Sequence, residues 1–119
     1  MSGNPLAPSE LAKFIDHTLL KPEATSNDIA KLCAEALAFG FKGVCVQTGH
    51  LTQVEKILRA SNILPVCVVG FPLGAESRDV KVFETKWAID HGAQEIDMVI
   101  KLGHLKAGED QLAQDDIES

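Results

Sequence analysis

The sequence predicts an α/β protein built from four strand–helix units with a parallel sheet. Three observations carry this. Short β-branched runs are centred near Ile15, Val44, Val66 and Ile96, about one βα unit apart. Each run is followed by a segment of helical periodicity or by the start of one. Strands joined by helical crossovers must run parallel, and such crossovers are right-handed.

Ala7 to Lys13 reads as a short leading helix opened by Pro8-Ser9, with Leu11 and Phe14 on one side. Phe14 to Thr18 is the first strand. Thr25 to Phe39 is the clearest helix: Ile29, Leu32, Cys33, Ala36 and Leu37 form one apolar face, Thr25 and Asp28 suit a capping box, and Gly40 supplies the stop. Gly43 to Gln47 is the second strand. Leu51, Val54, Ile57 and Leu58 mark the next helix, which ends near Ala60 to Asn62. Pro65 to Gly70 is apolar without interruption, as befits a strand covered on both faces. After the turn Gly70-Phe71-Pro72-Leu73-Gly74, Ser77 caps a helix to Ile89 with Val80, Phe83 and Trp87 facing inward. Gln94 to Ile100 is the fourth strand, and a last helix begins at Asp110 and runs to Ser119. The pattern alone fits either a small doubly wound sheet or an arc of a (β/α)8 barrel.

With 119 residues, 45% of them hydrophobic and 24% charged, the chain is expected to be a single globular unit over 1–119 with no second domain. The charge of −6 and the scattered Lys and Arg argue against a nucleic-acid binder, while leaving room for a small anionic ligand. Apolar runs are too short for a membrane helix, and Met1 to Pro5 does not read as a secretory signal, so the cytoplasm is the expected compartment. Cys33, Cys45 and Cys67, with four histidines, show no metal-ligand spacing. No metal or cofactor is expected.

Asp97 is the sharpest residue, a carboxylate inside the apolar strand Ile96-Asp97-Met98-Val99-Ile100. A buried carboxylate costs several kcal/mol unless paired or hydrogen-bonded. It is either a proton-transferring group or a structural aspartate, at a solvated strand edge or paired with Lys101, which alternation puts on the same face. Asp16, beside His17 and Thr18, admits a catalytic role or a turn-forming one. Cys45 is a small buried hydrophobe or a pocket thiol. The Gly70 to Gly74 turn lacks a phosphate-loop pattern.

Five blocks, in order, resemble the N-terminal half of deoxyribose-phosphate aldolase: Ile15-Asp16-His17-Thr18-Leu19-Leu20-Lys21-Pro22, Gly43-Val44-Cys45-Val46, Val69-Gly70-Phe71-Pro72-Leu73-Gly74, Phe83-Glu84-Thr85 and Glu95-Ile96-Asp97-Met98-Val99-Ile100. The resemblance selects the barrel. It implies four βα units forming half of a (β/α)8 TIM barrel, preceded by a short N-terminal helix. It also implies a class I aldolase that cleaves 2-deoxyribose 5-phosphate to glyceraldehyde 3-phosphate and acetaldehyde through a lysine Schiff base, without a metal. By resemblance, Asp97 works with a second lysine in moving protons, and Asp16, Thr18 and Cys45 line the substrate pocket. In that family the Schiff-base lysine, its partner lysine and the phosphate-binding backbone come from strands six to eight. Many relatives carry Asn-Pro where this chain has Gln47-Thr48, and Asn where it has Lys101.

A half-barrel is therefore expected to be inactive alone, completed by another chain or by a second copy, or retained as a non-catalytic scaffold binding a small phosphorylated sugar. In a third reading, two copies pair four plus four strands and Lys101 serves as an improvised Schiff-base amine beside Asp97. A last segment that stops inside an incipient helix favours truncation. An open arc is expected to expose two strand edges and its barrel-facing side chains to water, and so to form a homo-oligomer, most simply a dimer.

Overall fold

The computed structural model describes residues 5–118. Met1 to Asn4, most of the stretch read above for a secretory signal, and Ser119, the last residue of the expected final helix, lie outside the described residues.

One sheet of four parallel strands runs through the molecule: β1 (Asp16–Thr18), β2 (Gly43–Val46), β3 (Leu64–Val69) and β4 (Glu95–Met98), side by side in chain order. That order separates the two candidate architectures. A doubly wound sheet reverses its strand order at a switch point, whereas a barrel adds each strand beyond the last. With every crossover of one hand, all the helices then fall on one face of the sheet.

The leading segment is split: helix α1 (Pro8–Leu11) gives way to a 3-10 turn at Ala12–Phe14, which closes through the Ile15 N–H to the Ala12 carbonyl at 3.1 Å. The first strand consequently begins two residues later than expected. Helix α2 (Ser26–Phe39) has the expected ends. The Thr25 hydroxyl accepts from the Asp28 N–H at 3.2 Å, Asp28 accepts from the Thr25 N–H at 2.9 Å, and Gly40 takes the left-handed φ of 69°. Ile29, Leu32, Cys33 and Ala36 are buried against Val44 and Val46 of β2 and Val54 and Leu58 of helix α3 (Thr48–Leu58). Leu37, assigned to that face, lies half exposed beside the stripe.

Helix α4 (Arg78–Asp90) begins at Ser77 as expected but presents a different face. Val80 and Phe83, expected inside, are exposed, at 51% and 72%, and Trp87 is half-buried. Lys81 and Ala88 are buried instead, with Glu84 turned toward the sheet. Residues 80, 83, 87 and 81, 84, 88 share the same helical spacing, and hydrophobicity alone favours the first set. The second wins because its polar groups find partners inside. Glu84 Oε1 accepts from the Gly70 N–H at 2.9 Å, and the Lys81 ammonium pairs with Asp116 of the final helix, α6 (Asp110–Glu118). A one-turn helix not foreseen in the sequence, α5 (Leu102–Lys106), separates α6 from β4.

Strand β4 is shorter than expected. Val99 N–H still reaches the Val69 carbonyl at 3.0 Å, but the turn after β3 then crosses the chain. A Cβ on Gly74 would stand 2.5 Å from the Ile100 carbonyl oxygen and 2.7 Å from Val99 Cγ1, so only glycine allows this approach. The same turn contains a cis peptide bond at Phe71-Pro72.

The barrel-facing side is less open to water than expected. Cys45, Val66 and Val68 are buried there, with the partly buried Leu20, Leu64 and Phe71 packed against them. The reason is curvature: Cys45 Sγ on β2 lies 3.7 Å from Asp97 Oδ2 on β4, with β3 between them. On a flat sheet those strands would stand about 9.5 Å apart. The side chains of a concave face lean together and shield one another.

Lys81 and Asp116 are both nearly inaccessible, at 1% and 5% exposed. Removing one partner of a buried pair leaves a desolvated charge, so Asp116→Ala should lower unfolding stability by about 3–5 kcal/mol in urea melts. The double replacement Lys81→Met with Asp116→Leu should recover most of that loss. A single variant as stable as the parent would show that the pair does not hold α6.

Candidate active site

Pairing register sorts the side chains by face. Thr18, Cys45 and Val66 stand in register on β1, β2 and β3, as do Asp16 and Gly43, and Val68 and Asp97. Asp16, Thr18, Cys45, Glu95 and Asp97 therefore all belong to the concave, barrel-facing side, while Val44, Val46 and Cys67 point to the helices.

Asp16 lies over Gly43. A Cβ there would be 2.7 Å from Asp16 Oδ1, so the glycine makes room for the carboxylate. Oδ1 is buried and accepts no hydrogen bond among the described residues. Burial, then the like charge of Glu95, push the Asp16 carboxyl above its ordinary value of 3.8; Lys42 opposes the shift and Asp97 adds to it. Lys42 pairs with Glu95 at 3.2 Å, and Glu95 Oε2 is also buried without a partner among the described residues. The Thr18 hydroxyl is exposed and donates to the Asp16 carbonyl at 2.8 Å.

Cys45 is 2% exposed and donates its thiol proton to Asp97 Oδ2. Its pKa is pushed up to about 12, by burial first and then by the Asp97 charge. At neutral pH it is a neutral thiol, unsuited to nucleophilic attack, that orients the carboxylate. Cys67, on the other face, is likewise pushed up to about 12 by burial and Glu84, and Cys33 is raised by burial.

Asp97 itself is exposed, as a carboxylate at a solvated strand edge would be. β4 is the last strand of the sheet, and no further strand pairs with its outer edge among the described residues. The ion pair with Lys101, one of the alternatives for Asp97, is not formed among the described residues. Regular alternation ends with the strand at Met98, and Lys101 precedes α5 as its cap. The structure thus brings Asp16, Thr18, Cys45 and Asp97 onto one surface. Glu95 and Lys42 complete the charged group. Glu95 was legible in principle, two residues before Asp97 and so on the same face; Lys42 carries no signal in the sequence. No cluster of ligating side chains fit for a metal ion occurs among the described residues.

A parallel βα arc with carboxylates and a neutral thiol on its inner surface is the inner wall of half a β/α barrel. By sequence the chain is a homologue of about half of deoxyribose-phosphate aldolase. It is 51% identical over 107 residues to that enzyme of Staphylococcus saprophyticus, covering 90% of this chain and 49% of the relative. The Clostridium tetani enzyme is 48% identical over 110 residues, covering 92% and 51%. Among solved structures, one from Coccidioides immitis assigned to deoxyribose-phosphate aldolase superposes with a TM-score of 0.92 and 37% identity, over 98% of this chain and 46% of that one. The Aeropyrum pernix deoxyribose phosphate aldolase, described as tetrameric, gives 0.77 and 30%, over 92% and 50%. The chain spans about half the length of the curated relatives it matches. No protein-family model matches it.

A carboxyl with a raised folded-state pKa holds its proton more tightly when folded, so its stabilising effect is full below the ordinary value of 3.8 and is lost as pH rises through the folded value. Asp16→Asn should therefore raise the urea midpoint at pH 7, and the gain should shrink to nothing as pH falls below the ordinary value. A gain that does not change with pH would place its origin elsewhere than in the Asp16 charge.

Proposed function

We propose that this chain supplies half of a class I deoxyribose-phosphate aldolase site, acting on 2-deoxyribose 5-phosphate to give glyceraldehyde 3-phosphate and acetaldehyde once the other half is present. The observation that carries the reading is the grouping of Asp97, Cys45 and Asp16 on the concave face of an arc homologous to half of those enzymes. Asp97 is the proton-relay carboxylate: it is accessible to a substrate hydroxyl or an incoming lysine, and the Cys45 thiol fixes its orientation. Asp16, Thr18 and Cys45 line the substrate pocket, where burial keeps Cys45 from competing as a nucleophile. The Schiff-base lysine belongs to the strands that would complete the barrel. Without it the covalent route is closed, and this four-stranded unit is inactive.

Two features favour association. The outer edges of β1 and β4 are unpaired among the described residues. Apolar side chains are exposed on both flanks, Phe14 and Ile15 beside β1, and Leu102, Leu105, Leu112 and Ile117 after β4. We assign these edges to a partner, in the simplest case a second copy closing four strands onto four. No helix among the described residues is long and apolar enough to cross a membrane, and the cytoplasm is the compartment proposed for a sugar-phosphate enzyme of this kind.

Intact mass after incubation with 2-deoxyribose 5-phosphate and borohydride tests the reading. The chain alone should give no stoichiometric adduct. With the complementary half of the Staphylococcus saprophyticus relative it should support an adduct on that half, and Asp97→Asn should lower turnover at least about a hundredfold, the usual weight of a proton-transfer group. A stoichiometric adduct on the chain alone, mapped to Lys101 and lost in Lys101→Ala, would show instead that the half-barrel has its own amine nucleophile. Sedimentation velocity should show a dimer; a stable dilute monomer would overturn the self-association.

A further inference from the structure

The outer face of α4 carries a cavity that the concave site does not use. It has a volume of about 460 Å³, within the range of small-molecule pockets, and opens between the start of α3 and α4 on the helix side of the sheet. Its walls include the aromatic rings of Phe71, Phe83 and Trp87, the carboxylates of Glu76 and Glu84, and Thr48.

Three observations give it chemical character. Phe83 is 72% exposed, an unusual position for a phenyl ring, and it faces the same space as the half-buried Trp87. The far side of Trp87 is occupied by the His91 ring, stacked at 3.9 Å. Glu84 is already engaged by the Gly70 N–H, but Glu76 Oε2 is buried with no hydrogen-bond donor among the described residues. That oxygen packs against Gly70, 2.9 Å from where a Cβ there would stand, which holds the Glu76 carboxylate in the cavity wall. The neighbouring Lys81 does not supply a donor: its Cε lies 3.2 Å from where a Gly70 Cβ would stand, yet its ammonium is paired with Asp116. The cavity walls therefore hold two carboxylates and no basic side chain, and their aromatic faces attract positive charge.

We propose that this cavity binds an alkylammonium ion, its ammonium group set beside the carboxylates of Glu76 and Glu84 and its carbon chain lying against Phe83, Phe71 and Trp87. Aromatic rings and partly buried carboxylates together select a cation with an apolar stem over both a metal ion and a neutral alcohol. The cation is either a free amine or a lysine side chain of a partner protein, which offer the same head group. The site is independent of the aldolase reading and stands or falls separately from it.

Trp87 is the sole tryptophan, so its indole N–H resonance reports on this cavity. Titrating the full chain at neutral pH with butylammonium chloride, and in a second arm with Nα-acetyl-lysine amide, should shift that resonance saturably. Sodium chloride at equal ionic strength should not, and butan-1-ol should bind at least about tenfold more weakly. Glu76→Gln and Phe83→Leu, the second at an exposed position that leaves the fold intact, should each weaken binding about tenfold. Tighter binding of the lysine derivative identifies a protein side chain as the natural cation, and tighter binding of butylammonium a free amine. No saturable shift in either arm, equal binding of the alcohol, or unchanged binding in both variants would overturn the proposal.

Discussion

Strand β3 is the constraint on which the rest of the structure depends. It is the longest strand, hydrogen-bonded on both sides, and buried on both faces from Pro65 to Val69. One face packs Cys67 against Leu51, Ala88 and Ala93, and the other packs Val66 and Val68 beneath Cys45. Fully burying such branched side chains contributes about 1.5–3 kcal/mol each. Because β3 must be covered on both faces, the sheet has to carry helices on one side and curl on the other.

That curl creates the chemistry. It brings a β2 thiol onto a β4 carboxylate across an intervening strand and sets the charges of β1 and β4 within electrostatic reach of each other. Asp16 and Glu95 each hold a buried oxygen without a donor among the described residues, a condition that a stability-optimised surface would avoid. Such sites are where a protein retains polar groups for a purpose other than its own fold, here the inner wall of a barrel whose other strands would face them.

The helix side follows a related logic. Lys81, Glu84 and Asp116 tie together the turn after β3, helix α4 and the terminal helix α6, so the loop beside the mouth of the arc is positioned by charge inside a mostly apolar layer. Rotating α4 to satisfy those groups turned Val80 and Phe83 outward. One buried polar commitment thus determined both how the loop is held and which apolar residues reach the surface.

From the sequence alone, the four strands, the three main helices, their parallel order and the caps at Thr25, Ser77 and Gly40 were legible, because these depend on local periodicity and on backbone groups a few residues apart. The motif blocks likewise pointed to Asp16, Cys45 and Asp97 as members of one surface. Burial and partnership depend on distant contacts and were decided by tertiary structure. The α4 stripe was misread because two stripes share one spacing and only distant partners distinguish them, Gly70 for Glu84 and Asp116, 35 residues away, for Lys81. Lys101 forms no ion pair with Asp97 among the described residues, and β4 ends at Met98, next to where Gly74 packs against Val99 and Ile100. Asp97 is exposed because it stands on the last strand of an open sheet, and the strand beyond it, which no local pattern can supply, is what would bury it.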